Sequence, residues 1–243
     1  MHEHFNAVIL KVVKHNDKTQ IVDMLTEHHG RMSFAVPAPG TGKNAARYRA
    51  LWRPLNITEF ECDLKKAKGL PRPKDARNSY VYSSVNSDPL RSMIAMFVDE
   101  LLCAALWGEV PDEPLFLFVR QSLQLLDNPK CRYMNFHIAF ALKLLDFVGL
   151  QPNMERNPLD SFFDLRAAVF TPFDPMHTDV LAHEEADWLQ ALMRMNFRNM
   201  HLFKFNRAQI SRILNVINRY YMIHVPDFKK LNAADFFRDA LSE

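Results

Sequence analysis

Near residue 83 the hydrophobic period of the chain changes, and this constrains the fold more than any other feature. Before it, apolar residues come in short Val- and Ile-rich runs bounded by turn residues, as in strands. After it, they recur at spacings of three and four, as on one face of a helix. A chain of 243 residues has ample length for a core in each part.

The first part reads as five strands. "NAVILKVVK" is followed by a turn at His15-Asn16-Asp17, "TQIVDMLTE" by a turn at His28-His29-Gly30, and "RMSFAV" is the third run. "LNITEFECDL" alternates, with Asn56, Thr58, Phe60, Cys62 and Leu64 on one side, and a shorter strand is expected near Ala76 to Val81. Five short strands suit a small closed barrel. Beyond Ser83, Ser87-Asp88-Pro89 supplies a capping side chain and a first-turn proline. Ile94, Phe97, Val98, Leu101, Leu102 and Ala105 continue that helix until Gly108. Helices are further predicted over Pro114–Asp127 and Arg132–Val148, the latter ended by Gly149, then at about 183–200, 207–223 and 232–241. The stretch 150–180, with Pro152, Pro158, Pro172 and Pro175, reads as irregular, with a small hairpin at "FFDLRAAVF". The expectation is an α+β protein: an N-terminal β-barrel over 1–82 and a mostly α-helical domain over 86–243.

Composition narrows the function classes. With 48% apolar and 24% charged residues the chain is globular. No window nears 18 uninterrupted apolar residues, and the N-terminus lacks the order of a signal peptide, so a cytosolic protein is expected. Cys62, Cys103 and Cys131 form no CxxC pair, which argues against a disulfide framework or a structural zinc site. Charge is uneven. Residues 1–85 hold 14 basic and 8 acidic residues, net +6, whereas 86–243 hold 16 and 20, net −4. A basic first third on an acidic remainder points to a module that binds a polyanion.

"VPAPGTGKNAAR", Val36 to Arg47, resembles a phosphate-binding loop, which needs G-x-x-x-x-G-K-[ST]. Pro37 stands where the first glycine belongs and Asn44 where the hydroxyl belongs, and no βαβ alternation surrounds the motif. It reads better as a flexible basic hairpin loop. Lys43, Arg47, Arg49 and Arg53 follow closely with Tyr48 and Trp52 interleaved, and Lys65, Lys66, Lys68, Arg72 and Lys74 form a second cluster. The cations suit phosphates; the two aromatics suit either base stacking or packing on the barrel. His28-His29 and "HEEAD", His183 to Asp187, lack metal-ligand spacing, and no G-x-S-x-G elbow is present. From Trp188 to Pro226 there are six basic residues and no acidic ones. Arg212 and Arg219 share a helix face there, as a second phosphate strip or as complements to acidic helices.

"AVILKVVKHNDKTQIVDMLTEHHGRMSFAVPAPG" (Ala7–Gly40), "WRPLNITEFE" (Trp52–Glu61), "NFHIAFALKLLDFVGLQPN" (Asn135–Asn153) and "FFDLRAAVF" resemble, in order and spacing, the bacterial recombination-mediator RecO family. The last resembles that family's F-D-L-x-x-G-x-F hairpin. The resemblance implies an N-terminal OB-fold and a helical C-terminal domain. It also implies a non-enzymatic, cytoplasmic, nucleoid-associated role without a cofactor. Such proteins bind single- and double-stranded DNA, anneal strands, engage single-strand-binding protein and, with RecR, help load RecA. Phosphates would then be held by Arg31, Lys43, Arg47, Arg49, Arg53, Lys65, Lys66, Lys68, Arg72 and Lys74, with Tyr48 or Trp52 to stack. Arg91, Arg120, Arg132 and Lys143 are candidate rim residues for the acidic tail of single-strand-binding protein. Many members carry a four-cysteine zinc module near the hairpin; here Phe162 to His183 contains no Cys, and no metal is expected. The alternatives are a P-loop-like nucleotide hydrolase and a helical protein-interaction adaptor.

Overall fold

A computed structural model describes residues 3–42, 45–66, 69–106, 110–159, 161–182 and 184–232, with only the backbone of Lys66. The chain divides into two compact units. Met1–Ala95 with Leu106–Cys131 form the first; Met96–Ala105 with Arg132–Glu243 form the second.

The first unit is built on β1 (Glu3–Lys14), β2 (Thr19–Thr26), β3 (Gly30–Pro37), β4 (Ile57–Cys62) and β5 (Lys74–Asn78), with α1 (Ala45–Leu51) between β3 and β4. All pairings are antiparallel and the order is β3-β2-β1-β4-β5. The sheet curls without a closing ladder. A bond from the Ala35 N–H to the Pro71 carbonyl, 2.9 Å, links β3 to the segment before β5. This is the partly open five-stranded form of the OB-fold rather than the closed barrel expected.

Alternation sends Phe5, Ala7 and Ile9 of β1, Val22 and Met24 of β2, Phe34 and Val36 of β3, and Phe60 and Cys62 of β4 into one core. The β1–β2 register shifts between Ile9 and Lys11, so Leu10 is the extra residue of a bulge. The bulge reverses the phase, and Val12 rather than Lys11 packs on the core. The "TEHHG" turn has a physical basis too. The buried Thr26 hydroxyl donates to the Gly30 carbonyl (2.8 Å) and accepts the His29 N–H (3.1 Å), while Gly30 takes φ +66°.

After β5 come α2 (Ser84–Ser87), α3 (Pro89–Ala105) and α4 (Glu113–Asp127). Asp88 caps α3 as expected, accepting the N–H groups of Leu90 and Arg91 at 3.0 and 3.3 Å. Asp112 caps α4 through the Leu115 N–H. Helix α4 packs on β1, where Val8 and Leu10 are fully buried.

The second unit centres on α5 (Phe136–Phe147), which is buried along nearly its whole length. Gly149, at φ +70°, follows it. The predicted hairpin is present as β6 (Phe162–Asp164) and β7 (Val169–Thr171), and β8 (Val180–Ala182) adds a third strand in the order β7-β6-β8. Then follow α6 (Glu184–Leu192) and α7 (Arg207–His224), the latter opened by a reciprocal Asn206–Gln209 capping box. The helix predicted to reach about residue 200 stops at Leu192. The Asn196 side chain accepts the Arg198 N–H (2.9 Å) and the Asn199 side chain accepts the Asn196 N–H (2.7 Å), a local alternative to helix. Gly108, His183 and, apart from Asn232, the helix expected over 232–241 lie outside the described residues.

Candidate nucleic-acid interface

The stretch read as a flexible basic loop is, from Ala45 onward, the short helix α1. "AARYRAL" is made mostly of good helix formers, and three alanines and a leucine outweigh the loop character of the prolines and glycines before it. The helix then sorts its own residues. Tyr48, Leu51 and Trp52, at spacings of three and four, pack on the barrel core. Arg47 and Arg49 fall on the exposed side.

That geometry resolves the two aromatics. Trp52 is only 6% exposed and belongs to the core cluster, so it has no open face for a base. Its role is packing, which corrects the expectation that it stacks on a base. Tyr48 is half-buried and meets Trp52 edge-on at 6.2 Å between ring centroids. Burial pushes the Tyr48 hydroxyl pKa up.

The candidate cations separate into two groups. Arg47, Arg49, Arg53, Lys65, Arg72 and Lys74 are exposed and hold no ion pair among the described residues. Arg31, by contrast, is half-buried: its guanidinium donates to the Leu106 carbonyl at 2.6 Å and lies 3.5 Å from Asp23. Asp23 in turn accepts the Ser33 hydroxyl at 2.5 Å. Arg31 is thus committed to holding β2, β3 and Leu106 together, and is corrected from phosphate ligand to structural residue. Arg77 is paired with Glu59. Lys43, Lys68 and the Lys66 side chain lie outside what is described.

Two contacts draw the separate basic segments toward one side of the barrel. Helix α1 packs beside β5, whose first residue is Lys74. The Ala35–Pro71 bond sets Arg72 next to the end of β3, where the chain leaves for α1. The Cys62 thiol donates to the Arg72 carbonyl at 3.5 Å, fixing the same segment against β4.

The candidates for a partner rim fall in both units, Arg91 and Arg120 in the first, Arg132 and Lys143 in the second. Arg91 is 4% exposed, and its guanidinium donates to the carbonyls of Leu126, Asn128 (2.8 Å) and Pro129 (3.4 Å). It caps the C-terminus of α4 and is unavailable to a partner, because the last carbonyls of a helix need donors. Arg120 is half-buried, and Arg132 is exposed. Lys143 pairs with Asp146 at 3.1 Å. Arg212 is paired with Glu185, and Arg219 with Asp179 and the Thr178 carbonyl, so both complement acidic residues of the second unit. Among the described residues no three His, Cys, Asp or Glu side chains gather as a metal site would require, and no helix is long and apolar enough to cross a membrane.

One feature lay beyond sequence reasoning. Asn56 donates its amide to the Ala50 and Leu51 carbonyls, at 2.7 and 2.9 Å, tying the turn after α1 to the helix that precedes it. The Tyr82 hydroxyl donates to Leu55, which sits at φ +64° in that turn. The spacing of Tyr80 and Tyr82 was the available signal, but which acceptor each would meet was not.

Residues 1–80 match the model described as "Recombination protein O N terminal", and 86–232 match "Recombination protein O C terminal". The chain is 39% identical over 234 residues to the DNA repair protein RecO of Bacteroides fragilis, covering 96% of each chain. It is 37% identical to that of Phocaeicola vulgatus, over 97% of this chain and 98% of the relative. It is 30% identical to that of Porphyromonas gingivalis, over 94% and 95%. A chain matched over residues 1–80 and 86–232 in this way, with an OB-fold sheet followed by a helical unit, belongs to the recombination protein O family.

Proposed function

We propose that this chain is a non-catalytic mediator of DNA repair and recombination. It binds single- and double-stranded DNA, anneals complementary strands, engages single-strand-binding protein, and with RecR promotes RecA loading. Residues 1–82 act as the DNA-binding domain and 86–243 as the helical domain, in a cytoplasmic, nucleoid-associated protein. Family membership supports the repair role. The observation that carries the DNA reading is the sorting of cations: Arg47, Arg49, Arg53, Lys65, Arg72 and Lys74 are exposed and hold no ion pair among the described residues, while Arg31 and Arg91 are spent on the fold.

The physical role is charge neutralisation. Two strands approach each other only if their phosphates are screened, and a row of arginines does this without making or breaking bonds. The nucleotide-hydrolase alternative is disfavoured by Pro37 and Asn44 in the loop, and by a helix whose aromatic face is committed to the barrel core.

A salt titration of single-stranded DNA binding tests the reading. The log–log slope is expected to be about −0.7 per phosphate neutralised. Strand annealing is expected to fall when Lys43, Arg47 and Arg49 are made neutral together. Absence of binding at low salt, or annealing unaffected by that triple change, sinks the proposal.

A further inference from the structure

A cavity of about 240 Å³ opens beside the turn that follows α1. Arg53 and Leu55 of the turn, Asn78 at the end of β5, Tyr82, and Leu123 and Leu126 of α4 form its walls, all within the first unit.

The walls are held in place. The Leu55 N–H donates to the Ile9 carbonyl at 2.7 Å, and the Leu55 carbonyl accepts the Tyr82 hydroxyl, also at 2.7 Å. Together with the Asn56 amide fastened under α1, these bonds fix the turn from both sides. The space is therefore preformed, and needs no side chain to move before a ligand enters.

Its chemistry is divided. Leu123 and Leu126 make an apolar floor, while Asn78 and Asn86 bring amides, the Asn78 oxygen accepting a long bond from Asn56 (3.5 Å) and the Asn86 nitrogen donating to the Tyr82 carbonyl (3.0 Å), so that each keeps part of its donor and acceptor capacity for a ligand. The single charged residue in the lining is Arg53, exposed and without an ion pair among the described residues. Such a space favours a ring-shaped group with hydrogen-bonding edges, attached to an anion. It is smaller than the roughly 300–1,000 Å³ of pockets that take whole drug-sized ligands, so it suits one unit of a longer chain. The surroundings suit a polyanion: from Val36 to Thr58 there is no acidic residue, and Arg47 and Arg49 project from the adjoining helix.

We propose that this cavity receives one unstacked base of a bound single strand, with Arg53 on the adjoining phosphate. The proposal rests on the DNA-binding reading above and adds a place where a base, not only the backbone, is held. The base slips out of its stack into a half-polar space, and Arg53 sets the register of the strand.

Two variants fill the cavity without removing core. Ala50 and Val81 both line it and both are exposed. Ala50→Trp and Val81→Trp each put a ring into the space, and thermal melting of each confirms that the fold is retained. The probes are a thymidine oligonucleotide and an abasic strand of the same length and charge, followed by fluorescence anisotropy. The wild-type chain is expected to bind the base-bearing strand about tenfold more tightly than the abasic one. Both variants are expected to reduce that ratio to about two, with affinity for the abasic strand and its salt slope unchanged. A wild-type ratio near one overturns the base site while leaving the DNA reading standing. So does a tenfold ratio that survives both fillings. Loss of binding to an acidic, carboxylate-terminated peptide in the variants, with the base ratio intact, assigns the cavity to a protein tail and likewise overturns the proposal. If the wild type binds neither strand at low salt, the DNA reading fails first and this site with it.

Discussion

The carboxylate of Asp127, the last residue of α4, accepts the backbone N–H of Val85 at 2.8 Å. It also accepts the Ser83 N–H at 3.1 Å and the Tyr80 hydroxyl at 3.0 Å, so one buried side chain holds the connector that leads out of the β-sheet. Burial by itself would raise the Asp127 pKa, but the N–H groups of Val85 and Ser83 and the Tyr80 hydroxyl outweigh it and hold the carboxyl below its usual range. Asp127→Ala leaves those donors without an acceptor and is expected to cost about 2–3 kcal/mol in denaturant unfolding. Because the folded pKa is depressed, the contribution is present above the ordinary carboxylate range and lost as pH falls through the folded value. An unchanged midpoint in Asp127→Ala, or the same acid sensitivity in wild type and variant, contradicts this.

Trp52 and its arginine neighbours are expected to separate cleanly in experiment. Trp52→Ala empties a core position and is expected to cost about 3–5 kcal/mol of stability. Changing Arg47, Arg49 and Arg53 together to Gln is expected to leave the melting temperature nearly unmoved while flattening the DNA salt slope by about 2. Paired melts and salt titrations check both, and a stable Trp52→Ala chain with weakened DNA binding would return Trp52 to the interface.

His137 is fully buried in α5, edge-on to Phe97 at 5.8 Å, and burial pushes its pKa down to about 3. The neutral ring is the form the fold accepts. Its folded pKa lies below the ordinary value of 6.5, so its contribution is complete above pH 6.5 and is lost as pH falls from there toward 3. The loss has a slope of up to about 1.4 kcal/mol per pH unit. His137→Phe is expected to flatten stability over that window. Melts of the two proteins from pH 7 to 4 give the answer, and parallel curves would count against it.

Ala168 stands at φ +57° in the turn between β6 and β7, at the position that is glycine in the F-D-L-x-x-G-x-F pattern. Asp164 supports the turn by accepting the Arg166 and Ala167 N–H groups at 2.8 and 3.1 Å. A left-handed alanine carries a penalty that glycine does not, so Ala168→Gly is expected to stabilise the second unit by about 1 kcal/mol, despite the greater freedom of glycine when unfolded. A lowered melting temperature would show that the turn is not strained.

Much of the fold was legible in local pattern. Five strands, the cap at Asp88, the turn at Gly30, the helix stop at Gly149 and the hairpin around Asp164 follow from residues close in sequence. The first third was legibly basic, and the switch from period two to period 3.6 near residue 83 separated sheet from helices. Helix α1 was missed because the prolines and glycines before it spoke for a loop more loudly than seven residues spoke for a helix.

The sequence by itself therefore determined most of the elements, the order of sheet before helices and the sign of the charge on each part, since these depend on backbone preference and neighbouring side chains. Only the tertiary structure decided which cations remain free. Arg31 meets the Leu106 carbonyl and Arg91 the carbonyls at the end of α4, whereas Arg77 pairs with Glu59 at the surface, all through partners brought close by folding. A guanidinium that satisfies carbonyls inside the fold cannot also reach a phosphate, and nothing in the spacing of arginines along the chain reveals which will find such partners.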